Sequence, residues 1–289
     1  WLAHHVTLCC DQGLAARAMV SVGKLCMRFF ATENARSLAR QGLQFAKELV
    51  DPARVAVEIE LHNILLSAEP MDDWEAAAEL YAALAERALD LGDLPHARLG
   101  YHMAAYVRWS QGEWEGAREQ SLQSSRVMRG DDSKANIVGM AETAKCLVML
   151  ERDLSQADAM LMEADSLAQR RHFAHPAIAA GNGMLRLHEN RLDEAEEFFQ
   201  ESRTLCKSAG DRLNEFLASE YLVIIELQRG RYEVARDRAK QLVALGEKIR
   251  EGSEKPFADA LLGLCNYAID NDSAELDTAL EALRATDAK

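Results

Sequence analysis

The residues with metal-binding side chains are few, and most of them lie near the start of the sequence. His4, His5, Cys9 and Cys10 are ligand types that zinc prefers, and helical spacing puts His5 and Cys9 on one face. A structural zinc site needs four ligands, and no further well-spaced ligand follows these residues. We therefore expect buried thiols here and no bound metal.

A second histidine pair, His172 and His175, flanks Phe173 in a segment that ends at Pro176. A metal site would need more ligands than these two, and an acid-base site would need further partner groups. We expect them to be residues of a loop between two helices.

Sequence motifs of catalytic sites are incomplete. Gly23-Lys24 is followed by Leu25 instead of Ser or Thr, and Ala18 stands where a phosphate-binding loop needs its first glycine. The segment 181–183 has two glycines but lacks the third glycine of a dinucleotide-binding turn. Neither a G-x-S-x-G elbow nor an H-E-x-x-H pair occurs. The sequence therefore predicts a protein that is not an enzyme and has no cofactor.

Charge narrows the class of partner. The 289 residues carry a formal net charge of −14, which repels nucleic-acid phosphates and anionic lipids. We expect the partner to be a protein or peptide segment or a small molecule, and neither nucleic acid nor a membrane. Uninterrupted apolar stretches are far shorter than the ~18 residues of a membrane span.

Six scattered cysteines fit reduced thiols, so we expect a cytoplasmic location without disulfides. The first residue is Trp1, and the stretch behind it lacks the pattern of a signal peptide. Because the sequence lacks an initial Met, we expect it to be a fragment of a longer protein.

A repeated pattern runs through nearly the whole sequence. A Gly or Asn is followed two residues later by a large side chain and then by a small residue, as in Gly112, Trp114 and Ala117. The anchor positions of the pattern are 38 to 42 residues apart. They are Ala35, Ala77, Ala117, Ala157, Ala195, Ala235 and Leu276. The spacing predicts one repeat domain over residues 1–289 with about seven units.

Each unit is predicted to be a pair of antiparallel helices. Glycine tolerates the left-handed turn at the end of a helix, and the small anchor residue lets two backbones approach closely. We expect Trp74, Trp114 and Tyr232 to fill the crevice between paired helices. A Gly-Asp turn, as at Gly130-Asp131 and Gly210-Asp211, closes a unit. The candidate caps of the helix that follows are Asp131, Asp132 or Ser133, and Asp211. The predicted fold is all-α, a right-handed α-solenoid of antiparallel helix pairs.

The turn-plus-Ala pattern resembles the tetratricopeptide repeat (TPR), whose second helix opens in this way. The period here is near 40 residues, longer than the usual ~34, and no Pro ends the unit. HEAT and armadillo repeats also have periods in the forties but lack this pattern. The resemblance implies a long variety of the TPR fold.

The long period, the acidic balance and the segment 207–212 are similar to the helical sensor region of bacterial signal-transduction ATPases. Such proteins carry an NTPase domain upstream and often a LuxR-type DNA-binding or nucleotide-cyclase domain elsewhere. The resemblance implies a regulatory module for transcription or signal transduction.

A TPR-like solenoid lines its concave groove with the first helix of each pair. The TPR register places aromatic, Met and polar side chains in that groove. They are His102, Tyr106, Trp109, Glu142, Met149, Met184, His188, Glu220 and Gln228. We expect these residues to bind a protein or peptide. The alternative is a sensor domain whose small-molecule ligand binds between repeats. Association into a homo-oligomer through the apolar terminal repeats is a further expectation.

Overall fold

The computed structural model describes residues 11–69, 71, 73–127, 130, 133–249 and 252–286. These residues form fourteen α-helices and no strand. The helices are α1 (Gln12–Arg28), α2 (Thr32–Ala46), α3 (Ala53–Ala68), α4 (Trp74–Asp90), α5 (Leu94–Ser110), α6 (Trp114–Val127), α7 (Lys134–Met149), α8 (Leu154–Arg170), α9 (Pro176–His188), α10 (Leu192–Ala209), α11 (Arg212–Gln228), α12 (Tyr232–Gly246), α13 (Glu254–Asp270) and α14 (Ala274–Arg284). The predicted all-α helical-pair fold is confirmed.

The chain forms two compact units, Trp1–Asp131 and Asp132–Lys289. The first contains α1 to α6 and the second α7 to α14, so they hold three and four helix pairs. Within each unit, extensive contacts join helices that are one or two positions apart along the chain, as stacked repeats require. The expectation that 1–289 is a single domain stays a prediction.

The turns between helices have the predicted left-handed geometry. Gly92, Gly112, Gly210 and Gly230 have φ angles between 71° and 76°, a region in which a side chain is strained. Each of these glycines follows the last turn of a helix, where it lets the chain reverse direction.

Two of the predicted helix caps are present. The Ser133 hydroxyl accepts a hydrogen bond from the Asn136 amide, and the Asp211 carboxylate accepts one from the Asn214 amide, both at 3.2 Å. These bonds satisfy amide groups that a helix start leaves without intrahelical partners. Asp131 and Asp132 lie outside the described residues, as does the His4, His5, Cys9 and Cys10 cluster.

The anchor alanines lie at the fourth position of the second helix in five pairs. They are Ala35, Ala117, Ala157, Ala195 and Ala235, and each is completely buried. In the second pair the buried residue is Ala78, one position after the predicted Ala77. The last anchor, Leu276, is half-buried. Small residues therefore hold the close contacts of the repeat.

The prediction that three aromatic residues fill the crevices is right for Trp74 and wrong for Trp114 and Tyr232. Trp74 is 9% exposed, whereas Trp114 is 50% and Tyr232 38% exposed. Trp114 is the first residue of α6, and its ring lies beside Gly112 over the turn. The buried residue at this helix start is the anchor Ala117, three residues later.

Four cysteines, Cys26, Cys146, Cys206 and Cys265, are free thiols. Burial raises the pKa of Cys206 to about 12, which keeps this thiol protonated and unreactive. In the described helices, none is long and apolar enough to cross a membrane.

Candidate functional site

The predicted groove residues all lie on first helices of pairs. Three of them are on α5 in the first unit, and six are on α7, α9 and α11 in the second. Each set is described by itself, and a groove role for any of them stays a prediction.

On α5, His102, Tyr106 and Trp109 are half-buried. The rings of Tyr106 and Trp109 lie 6.3 Å apart with a tilt of 33°. Tyr106 also packs against the hydrophobic core that α3, α4 and α5 share. Its ring therefore supports the core, and only part of its surface is open to a ligand.

On α7, Glu142 already has a partner inside the protein. Its Oε2 lies 2.6 Å from the Nζ of Lys145, and both side chains are about nine-tenths buried. Burial opposes the Lys145 charge, but the ion pair with Glu142 outweighs it and raises the pKa of the ammonium group. The half-buried Met149 ends this helix. The pair is self-sufficient, so Glu142 has little need of an external cation.

On α9, the two predicted residues have opposite exposures. Met184 is only 3% exposed, so its side chain packs among the helices and has almost no surface for a ligand. His188 is exposed at the last position of the helix. The TPR register placed Met184 in the groove, whereas the packing of the second unit places it in the interior.

On α11, Glu220 is half-buried, and it has neither a hydrogen bond nor an ion pair with any described residue. Loss of hydration raises the pKa of its carboxyl group to about 8. Gln228 lies two turns later on the same helix face and is exposed. Glu220 is thus an acid in surroundings that lack a compensating cation.

An aromatic stack holds this part of α11 in place. The rings of Phe199 on α10 and Tyr221 on α11 lie 4.7 Å apart and 4° from parallel. Phe199 also lies against Gly183 on α9, where a Cβ atom would come within 3.0 to 3.1 Å of the ring. Burial, with the neighbouring Glu220 as the second cause, raises the pKa of the Tyr221 phenol. The stack fixes the residue that directly follows Glu220.

A second charged group in this unit forms a closed network that the sequence analysis did not identify. Glu226, at 1% exposure, lies 3.0 Å from Arg229 and 3.2 Å from Arg238. The same two arginines reach Glu196 on α10 at 2.5 and 2.6 Å, and Arg229 also bonds Asp193. Burial raises the pKa of Glu196, but the arginine hydrogen bonds outweigh it and lower that pKa. The one signal in the sequence is the i, i+3 spacing of Glu226 and Arg229.

The first unit contains an open cleft of about 430 Å³ that the sequence analysis also missed. Its walls come from the end of α2, from α3 and from α4. The lining residues are Leu43, Lys47, Arg54, Glu58, His62, Leu80, Ala83, Leu84 and Arg87. In the second unit, a cavity of about 10 Å³ beside Glu142 and Ser202 has room for about one water.

The described ranges contain no group of three or more metal-ligating side chains that could hold an ion. His175 has a structural role, because its Nδ1 accepts a hydrogen bond from the Ala177 amide at 3.3 Å and its ring stacks on Phe173. This imidazole caps the start of α9, in agreement with the interpretation of His172 and His175 as loop residues.

No family model and no curated protein matches the sequence. The chain is similar to a Rap protein solved in complex with Competence and Sporulation Factor, with a TM-score of 0.54 and 12% identity over 94% of this chain and 87% of that chain. It is also similar to a signal transduction ATPase with numerous domains that has a tetratricopeptide repeat sensor, from Pyrococcus horikoshii. That match has a TM-score of 0.50 and 13% identity over 93% of this chain and 47% of that chain, so this chain spans about half of the ATPase. The chain therefore has a TPR-like helical-repeat fold.

Proposed function

We propose that this chain is a non-catalytic peptide-binding sensor module of a larger regulatory protein, and that Glu220 binds a basic side chain of the peptide. The similar Rap protein was solved with Competence and Sporulation Factor, and the similar ATPase uses its repeats as a sensor. Both support a binding role for this fold.

The observation that carries the proposal is the carboxyl group of Glu220, which has no hydrogen-bond or ion-pair partner in the part of the chain that the structure describes. A carboxylate that loses hydration without gaining a partner is costly, and the raised pKa reflects this cost. A lysine or arginine side chain from a ligand would supply the positive charge that this carboxylate lacks as a partner. Glu142 differs in this respect because Lys145 already neutralises it.

The neighbours of Glu220 on α11 suggest the rest of the peptide. Leu217 lies three residues before Glu220 and Ile224 four residues after it, so helical spacing puts all three on one face. Both apolar side chains are half-buried. A peptide with leucine-like residues beside a basic residue would bury this surface and pair its charge.

A matched peptide panel tests the proposal. The probes are three synthetic seven-residue peptides of leucines and serines that differ at one position. This position is lysine in the first peptide, norleucine in the second and glutamate in the third. Binding is measured by fluorescence anisotropy. We expect the lysine peptide to bind best and Glu220→Gln to weaken it about tenfold or more, as for a lost charge-assisted hydrogen bond.

The control is Glu233→Gln on α12, which removes an exposed carboxylate of the same unit and should leave the affinity unchanged. Equal affinity of the lysine and norleucine peptides, or unchanged affinity of Glu220→Gln, would reject the proposal.

We place this module in the cytoplasm within a transcriptional or signalling protein.

Self-association through the first helix pair is supported by two exposed apolar side chains. Leu25 on α1 is 49% exposed, and Phe29, the residue after α1, is 73% exposed. Sedimentation velocity at increasing concentration tests it. The wild type should associate and Phe29→Ser should not, whereas a monomer at all concentrations excludes it.

A further inference from the structure

The first unit offers a binding site of a different kind from the one around Glu220. Its cleft of about 430 Å³ falls in the size range of small-molecule sites. The helices α3 and α4, which form the second pair, contact each other less extensively than the helices of the other pairs. The loose pairing leaves the cleft between α2, α3 and α4.

The cleft has apolar walls. Leu43 lies on the α2 side, and Leu80, Ala83 and Leu84 lie on the α4 side. Leu80 is 41% exposed and Ala83 is also exposed, although leucine is usually buried in a helical repeat. An apolar ligand would remove this surface from water, and the gain is roughly 25 cal/mol for each Å² that is covered.

The charge of the lining is opposite to that of the whole chain. Lys47, Arg54 and Arg87 stand against the single carboxylate of Glu58 in the lining, whereas the chain carries a net charge of −14. Asp51, just outside the lining, accepts bonds from the Nε and Nη2 atoms of Arg87 at 3.1 and 2.7 Å. The cleft therefore keeps an excess of positive charge.

The cations of the cleft retain hydrogen-bond donors. Arg54 donates from Nε to Glu58 at 2.7 Å, and its two terminal nitrogens have no bond to a described residue. Lys47 donates to the neutral amide oxygen of Gln44 at 2.8 Å and has no carboxylate partner among the described residues. An anion would find both a guanidinium edge and an ammonium group.

His62 contributes a neutral polar group to the cleft. Burial lowers the pKa of its imidazole, with Glu58 as a smaller opposing influence, and the ring packs edge-on against Tyr81 at 5.9 Å. A neutral imidazole keeps one N–H donor and one acceptor. The cleft thus combines an apolar wall, cationic groups and one neutral hydrogen-bonding group.

We infer that this cleft binds a small organic carboxylate whose apolar body packs on Leu43, Leu80 and Leu84 and whose carboxylate pairs with Lys47 and Arg54. The site lies between the first and second helix pairs, in the other unit from Glu220. It makes the chain a receptor for a metabolite in addition to a peptide. Its residues differ from those of the proposed peptide site, so the failure of one proposal would leave the other standing.

The test uses octanoate and 3-phenylpropanoate together with octanamide and 3-phenylpropanamide as neutral analogues. Binding to the whole chain is followed by amide chemical-shift changes in NMR. We expect the carboxylates to shift amides of α2, α3 and α4, and to bind about tenfold tighter than the amides because a charge-assisted bond is lost in the analogue.

Two kinds of variant test the residues. Lys47→Gln and Arg54→Gln should each weaken carboxylate binding about tenfold. Arg40→Gln is the control, since it breaks an exposed 2.7 Å ion pair with Glu69 in the same unit and outside the lining. Ala83→Trp should fill the cleft and abolish binding. The matched Ala76→Trp changes an exposed alanine two turns earlier on α4 and should preserve binding.

Three results would overturn the inference. The first is that neither carboxylate binds at a concentration of about 10 mM, which is far above the dissociation constants of ordinary ligands. The second is that the acids and the amides bind equally well. The third is that Ala83→Trp leaves binding unchanged. Tighter binding of an acetylated peptide that carries glutamates beside leucines would replace the metabolite by an acidic peptide.

Discussion

The ring of Phe199 lies parallel to the ring of Tyr221 at 4.7 Å and joins α10 to α11. Phe199 is completely buried, so Phe199→Ala should lower the free energy of unfolding by about 3 to 5 kcal/mol, because it removes the stack and leaves a cavity. Urea denaturation measures this change. Phe198→Ala, at the half-buried neighbouring position, is the control and should cost less than half as much. Equal costs would mean that the stack does not join these helices.

Removing one charge of the ion network around Glu226, while its partner charges stay, should lower the free energy of unfolding. Arg229→Met leaves buried carboxylates with fewer partners, and we expect a loss of about 3 kcal/mol in urea denaturation. The double change of Arg229 and Glu226 to Met should recover part of it, since both buried charges are then gone. Lys240→Gln breaks an exposed 3.4 Å pair and should cost less than about 0.5 kcal/mol. A similar small cost for Arg229→Met would contradict the network.

Glu151 shows how the turn can be improved. It has a φ of 51° after α7, where glycine stands after α5 and α11. Glu151→Gly should therefore raise the free energy of unfolding by about 1 kcal/mol. The reverse change, Gly230→Ala, meets no neighbour within 4 Å and should lower it by about the same amount through backbone strain alone. In thermal unfolding, the midpoint should be higher than that of the wild type for Glu151→Gly and lower for Gly230→Ala.

The raised pKa of Glu220 makes stability depend on pH. Between the ordinary carboxyl pKa of about 4.3 and the value of about 8 in the folded chain, the folded state holds a proton that the unfolded state has released. The contribution of this group is full below about pH 4.3 and is lost as the pH rises through 8. The stability advantage of Glu220→Gln over the wild type should therefore grow from about 1 kcal/mol at pH 5 to an amount on the order of 5 kcal/mol at pH 9. Glu233→Gln should change stability by less than about 0.5 kcal/mol at both pH values.

Much of the fold was predictable because its determinants are local. A left-handed turn at Gly112 or Gly230 and a small residue at Ala117 or Ala235 are set by a few adjacent residues, so the sequence carries them directly. The shift from Ala77 to Ala78 in the second pair is a difference of one position in the same pattern.

The site was less predictable because it depends on how helices stack. Glu142 and Glu220 each lie 15 residues before the anchor alanine of their pair, yet Glu142 is paired with Lys145 whereas Glu220 is half-buried and has no partner among the described residues. The network at Glu226 needs Arg229, just after α11, and Arg238 on α12, and the cleft beside His62 depends on how three helices are spaced. Distances between elements of this kind are not encoded in the residues of one helix.

The most direct test of the proposed function is an NMR titration of the Glu220 side-chain carboxyl carbon, with and without the lysine-containing peptide. We predict a midpoint near pH 8 in the free chain, a midpoint moved toward the ordinary carboxyl range in the complex, and a peptide affinity that rises with pH up to about 8. A midpoint near 4.3 in the free chain, or one that the peptide does not change, would contradict the account.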